Sequence, residues 1–268
     1  MSFLKSGVKA TAKAIKKHKL MFIGAIIVQI LLVIVLTYTS LNYQLKIMEG
    51  AQNVVEPLQD ANYDQESLEA GQPFTKDILQ IYTGYKEMMK NITEYILWLS
   101  GIFLLVNGLI WIMVYKMFGK KGILNMLGKY IGSSIMLMVP FFIVCYYILK
   151  GFLSLDIATE SFALVIQMVS VLFLVLYYFL LIGFSQLYIK SWKKFFKAYW
   201  SLGIKKIVYA VPVLIINSCF IFLGGYLIYL TAMNEVSLWV MILAAIFLVL
   251  IFVIGKIFWI ASLNSVKK

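Results

Sequence analysis

Six stretches of the chain, each longer than 18 residues and free of charge at its centre, restrict what it can fold into. Residues 20–41, 94–117, 131–149, 162–186, 207–230 and 238–260 can each cross a hydrocarbon core about 30 Å thick as a helix. In lipid a backbone must satisfy its own amide and carbonyl groups, which leaves helices or a closed barrel. The two-residue alternation a barrel needs is absent. Composition agrees: 62% of the residues are hydrophobic and 13% charged, against about half and a quarter in soluble domains. The expected fold class is all-α, a polytopic membrane protein with six transmembrane helices.

Charge predicts the orientation. With the N-terminus inside, segments 1–19, 118–130, 187–206 and 261–268, together with Lys116 and Lys256 at inner span ends, hold 19 lysines and no acid. The outer segments hold all 12 acids and five lysines. This exceeds what the positive-inside rule requires and predicts both termini on the cytoplasmic side. A secretory signal over the first run is the alternative, but that run exceeds 20 residues and no small-x-small site follows it. The net charge of +12 would suggest nucleic acid in a soluble protein. Lysines gathered at span ends remove that reading, and no nucleic-acid partner is expected. All 24 basic residues are lysine, so the chain lacks the planar fork that binds phosphate bidentately.

Tyr95, Trp98 and Trp239 fall at outer span ends, and Trp111, Tyr115 and Trp259 near inner ends, where amphipathic rings favour the interface. Lys256 and Lys150, near span ends, are expected to snorkel to water. Cys145 and Cys219 lie in different spans and are expected to be buried small hydrophobes, with no disulfide framework.

The one long outer connection, 42–93, has helical flanks. Leu41, Leu45, Met48, Val55 and Leu58 recur near heptad spacing, and Ile78, Tyr82, Tyr85, Met89 and Ile92 at three to four. Pro57, Gly71 and Pro73 are expected to break the middle. Spans one and two are thus predicted to extend outward as an antiparallel helical hairpin, roughly 20 Å beyond the bilayer. The insert is acidic, and Glu56, Asp60, Asp64, Glu66 and Glu69 are its candidate partner-docking residues. Asp60, Asp64 and Glu66 do not have the spacing of a calcium loop. Asn91-Ile-Thr93 is a glycosylation sequon close to the membrane.

Two inner segments carry an amphipathic pattern. In 188–203, Tyr188, Trp192, Phe195, Phe196, Tyr199 and Trp200 share one helical face, and Lys190, Lys193, Lys194 and Lys197 occupy a separate arc. Such a helix is expected in the inner interface, rings in the acyl boundary and ammonium groups on anionic headgroups. Segment 3–19 repeats the design, with Leu4, Val8 and Ile15 opposite Lys5, Lys9, Lys13, Lys16 and Lys17. Segment 118–130 is shorter and glycine-rich, and Val139-Pro140 and Val211-Pro212 recur at similar depth, suggesting three hairpins on one plan. The resulting organisation is a basic helix 1–19, a span 20–41, the hairpin 42–93, spans two to four over 94–186, the basic aromatic helix 187–206, and two final spans over 207–268.

No metalloprotease, nucleophile-elbow or phosphate-loop motif is present, and the one histidine, His18, sits in a lysine cluster. An enzyme is not expected, nor a cofactor or a metal. Gln29, Asn107, Gln167, Ser170, Asn217 and Ser218 are the polar side chains at depth, expected to form interhelical hydrogen bonds. Pro140, Pro212 and Gly224-Gly225 are the places where a carrier would break its helices.

The stretches Lys13-Ala-Ile-Lys-Lys-His-Lys19, leading into the first span, and Ser191-Trp-Lys-Lys-Phe-Phe-Lys197, leading into the fifth, give the chain a layout similar to six-span prokaryotic proteins. It resembles the YciC-like proteins and the membrane domain of glycerophosphodiester phosphodiesterases. The long outer insert departs from that group, and no functional residue is carried over. The expectation is a scaffold, anchor or partner subunit that meets a protein outside and grips anionic lipid inside. A carrier subunit for a small solute or lipid is the alternative.

Overall fold

The computed structural model describes residues 2–60, 78–153, 159–234 and 237–266, and among them 92% are helical and none is in a strand. The helices are α1 (Ser2–Lys17), α2 (Lys19–Asp60), α3 (Ile78–Ile102), α4 (Gly108–Met117), α5 (Ile123–Leu153), α6 (Thr159–Phe184), α7 (Trp192–Trp200), α8 (Ile207–Met233) and α9 (Leu238–Ser265). A π turn at Phe103–Asn107 joins α3 to α4, and another at Ser201–Lys205 follows α7. Six elements are long and apolar enough to cross a membrane: α2, α3 with α4, α5, α6, α8 and α9.

Proline and glycine interrupt less than expected. Pro57 does not end α2, which runs on to Asp60, since near a helix end one missing amide bond is a small loss. Gly71 and Pro73 lie outside the described residues. Helices α5 and α8 continue through Pro140 and Pro212, and α8 through Gly224 and Gly225, so no broken helix forms at these sites. The inner connection expected over 118–130 shrinks to 118–122. There Gly119, at φ 70°, ends α4 in a Schellman motif, its amide donating to Lys116 O and that of Lys120 to Tyr115 O.

The chain divides into two compact units, 31–105 and the remainder. In the first, α2 and α3 pair antiparallel. Tyr95 donates to Ser40 Oγ (3.1 Å), Asn91 Nδ2 to Lys46 O (3.5 Å), and Tyr43 to Glu94 (3.3 Å). Further along, Gly50 meets Met88 and Gly84 meets Asn53 and the Gly50 carbonyl. This seam uses glycines, amides and tyrosines. The apolar rows do not make it: Leu41, Leu45, Met48, Val55, Ile78, Tyr82, Tyr85 and Met89 are all exposed. The sequon's Asn91 lies at the edge of the seam, partly exposed.

In the second unit burial concentrates at one end of the helices, in residues 107–117, 126–134, 176–187, 195–202 and 253–263. This is the end at which the inner lysines gather. Trp111, Tyr115, Tyr130 and Phe184 form its centre, with Tyr130 stacked on Phe184 at 4.5 Å. Trp111, Tyr115 and Trp259 are therefore core side chains and not an interfacial belt. Their polar tips explain why: Tyr115 donates to Phe184 O (2.6 Å) and Trp259 Nε1 to Leu181 O (2.8 Å), while Ser185 Oγ donates to Ile182 O (2.7 Å). The end of α6 is thus bonded both by its own following backbone, Ser185 N to Leu181 O and Gln186 N to Gly183 O, and by side chains from α4 and α9 on Phe184 O and Leu181 O. That allows the non-helical Ser185-Gln186-Leu187 to be fully buried.

Cys219 is exposed rather than buried, and the Cys145 side chain is outside the described set. Gln167, Ser170 and Ser218 also face outward and take no place in the core.

Candidate functional site

The lysine-rich end of the second unit is built on α1 and α7. Helix α7 begins at Trp192, after a turn that includes Tyr188 and Lys190, and its ring face is divided. Phe195 is fully buried and Tyr199 stacks on Phe179 at 6.0 Å, whereas Trp192, Phe196 and Trp200 are exposed. Lys190, Lys193, Lys194 and Lys197 are exposed as well. Burial, and then the neighbouring Tyr178, push the Tyr199 hydroxyl well above the ordinary tyrosine range.

What holds α7 is a residue of the basic segment 118–130. Lys129 is buried on α5, and its ammonium donates to Asn125 Oδ1 and to Lys190 O (2.7 Å). It also lies 5.5 Å from the Trp192 ring centroid, and Trp192 rests on Gly132, where a Cβ would come within 2.8 Å of the indole. The signal was present: Asn125, Lys129 and Gly132 share one face at helical spacing. A second cation–π contact, Lys120 on Tyr188 at 4.3 Å, ties the 118–122 loop to the same turn.

Helix α1 is docked too, by a face other than the expected one. Gly7, Thr11 and Ala14 are buried, and Val8 is 59% exposed. Gly7 packs directly on Ser262, Ser265 Oγ donates to Phe3 O (3.3 Å), and Phe3 meets Tyr209 edge-on. Small residues win this contact because α1 and α9 approach closely. Lys5, Lys9, Lys13 and Lys16 remain exposed, and Lys9, Lys13, Lys16 and Lys17 edge a shallow depression over Ala12.

Of the polar side chains at depth, three are interior. Asn107 Nδ2 donates to the Tyr130 hydroxyl at 2.8 Å. Gln29, buried on α2, accepts from Lys256 Nζ at 2.7 Å. Asn217, buried on α8, sets its Oδ1 against Gly255. Lys256 is part-buried, with its ammonium on Gln29.

Glu56 is exposed on α2 and Asp60 ends that helix, while Asp64, Glu66 and Glu69 lie outside the described residues. Among the described residues the single ion pair is Lys90–Glu94, at 3.9 Å and largely exposed, and no cluster of metal-ligating side chains occurs. No family model, characterised protein or solved structure matches the chain.

Proposed function

We propose that the chain is a multi-pass protein of a prokaryotic plasma membrane with both termini in the cytoplasm, serving as a scaffold or partner subunit. It docks a helical protein through its outer hairpin and grips anionic lipid through α1 and α7. One observation carries the docking: the hairpin closes on its glycine seam, which leaves both heptad rows facing away from it. A row of Leu41, Leu45, Met48 and Val55 at alternating spacings of four and three (Gln52 filling the gap) fits the knobs-into-holes surface of another helix. The inner grip is supported by lysines held on docked helices, each contributing about 1 kcal/mol near an anionic surface.

The test is affinity capture from mild detergent with Leu45→Glu and Tyr82→Glu together. The docking reading expects a specific companion with the wild type and its loss in the double variant, with Asn217→Leu unaffected. A carrier predicts the opposite pattern in a solute-uptake assay. Capture that survives both glutamates removes the hairpin as the docking surface.

A further inference from the structure

Helix α1 carries its packing contacts on one face and lysine on the other. At 100° per residue the buried Gly7, Thr11 and Ala14 lie roughly opposite the exposed Lys9, Lys13, Lys16 and Lys17. These four lysines surround the exposed Ala12, and the five residues line one shallow depression. From Lys9 to Lys17 the helix advances about 12 Å. Spacings of three and four set like charges side by side, which is unfavourable without an anion between them. The chain places no acid there. Residues 1–48 contain none, and the unit that holds α1 has only Asp156, Glu160 and Glu235 in its sequence. Glu160 opens α6 and Glu235 precedes α9. Helix α1 packs instead on Ser262 and Ser265, about 36 Å or more along α9 from its start.

The lysine face does not stop at the end of α1. His18 N donates to Ala14 O (3.0 Å) and Phe22 N to His18 O (3.1 Å), so helical bonding crosses the junction with α2. The face therefore continues in phase as Leu20, Ile23 and Ile27, and all three are exposed. A group of ammonium ions is followed, one turn on, by an open apolar track. A free polyanion would use only the first half of this surface, whereas a phospholipid has both parts in that order.

We propose that this face seats one lipid with two phosphates, of the diphosphatidylglycerol type. Its phosphodiesters lie among Lys9, Lys13, Lys16 and Lys17, and its acyl chains run along Leu20, Ile23 and Ile27. Two ammonium groups stand to each phosphate, each lysine acting as a point charge. Lysines four residues apart are about 6 Å apart along the axis, comparable with the glycerol bridge between the two phosphates. A lipid with one phosphate leaves half of the cluster uncompensated. The inference rests on the anionic-lipid grip proposed above and adds the headgroup class and its place.

The test is native mass spectrometry of the full chain released from phosphatidylcholine nanodiscs containing diphosphatidylglycerol or phosphatidylglycerol. The former is used at half the molar content, which equalises phosphate charge. One diphosphatidylglycerol should be retained, preferred about tenfold or more over phosphatidylglycerol, as two further ammonium contacts at an anionic headgroup imply. Lys13→Gln with Lys16→Gln should remove that preference, and Lys13→Arg with Lys16→Arg should keep it. The same loss of charge on the hairpin, Lys86→Gln with Lys90→Gln, should leave it unchanged. The deacylated headgroup, added in excess, should not displace the lipid. Equal retention of the two anionic lipids by the wild type overturns the two-phosphate seat and leaves the anionic-lipid grip standing. Retention of neither above phosphatidylcholine ends both. A preference that survives Lys13→Gln with Lys16→Gln overturns the seat by placing the lipid elsewhere, and displacement by the deacylated headgroup overturns the lipid as its occupant. Both lysines are exposed, so the glutamine variants should keep the fold, and the wild-type comparison decides even if they do not.

Discussion

Lys129 is the residue on which the lysine-rich end turns. Its ammonium bridges Asn125 and the Lys190 carbonyl beneath the Trp192 ring, joining α5 to the start of α7. Lys129→Met leaves that carbonyl without its partner, a loss of about 1–3 kcal/mol. Amide exchange over 190–200 should then rise roughly tenfold or more, and Trp192 emission should shift to the red. Unchanged exchange would mean that α7 is held by Phe195 and Leu202 alone. None of this was legible from composition, because a lysine near a span end reads as solvated until its helix is known to start at Ile123 rather than beyond it. The contact of Lys256 with Gln29 was hidden for a related reason. Lys256 lies nine residues before the end of α9, and its hydrogen bond depends on where α2 packs, which no periodicity marks. Asn107 and Asn217 were readable, since an amide among apolar residues must find a neighbour.

At the level of elements, glycine decides both docked contacts. A Cβ at Gly84 would lie 2.9 Å from the Asn53 Cβ and 3.1 Å from the Gly50 carbonyl, so Gly84→Leu should force the hairpin seam apart at a cost of about 1–3 kcal/mol. Hydrogen exchange over 84–95 should increase about tenfold, while Leu45→Ala, on the outward row, should leave it unchanged. Similar exchange in both variants would place the seam elsewhere. At Gly7 a Cβ would land on the Ser262 hydroxyl. Gly7→Val should therefore lift α1 from α9 and abolish a disulfide engineered between Phe3→Cys and Ser265→Cys. Persistence of that bridge would show that α1 can repack. Helix existence was written in the hydrophobic periodicity, but the packing faces were not. Periodicity marks the apolar row of a helix, and in lipid that row is free to face outward while small residues make the contact. Hence Val8, Leu41 and Tyr82 were visible in the sequence, and Gly7, Gly50 and Gly84 were the residues in use.

Across the whole molecule, the six apolar elements follow from run length alone, because the bilayer leaves a chain few choices. The location of the core at the lysine-bearing end does not follow from run length. It depends on tyrosine, tryptophan and serine side chains that satisfy the end of α6, a contact with no sequence period. The account as a whole depends on which end faces the cytoplasm. That is tested most directly by replacing Cys145 and Cys219 with serine, placing single cysteines at Glu87 and Lys194, and treating intact cells with a membrane-impermeant maleimide. The cysteine at 87 should be labelled at once and the one at 194 only after lysis. Labelling of 194 in intact cells, with 87 protected, would contradict the account.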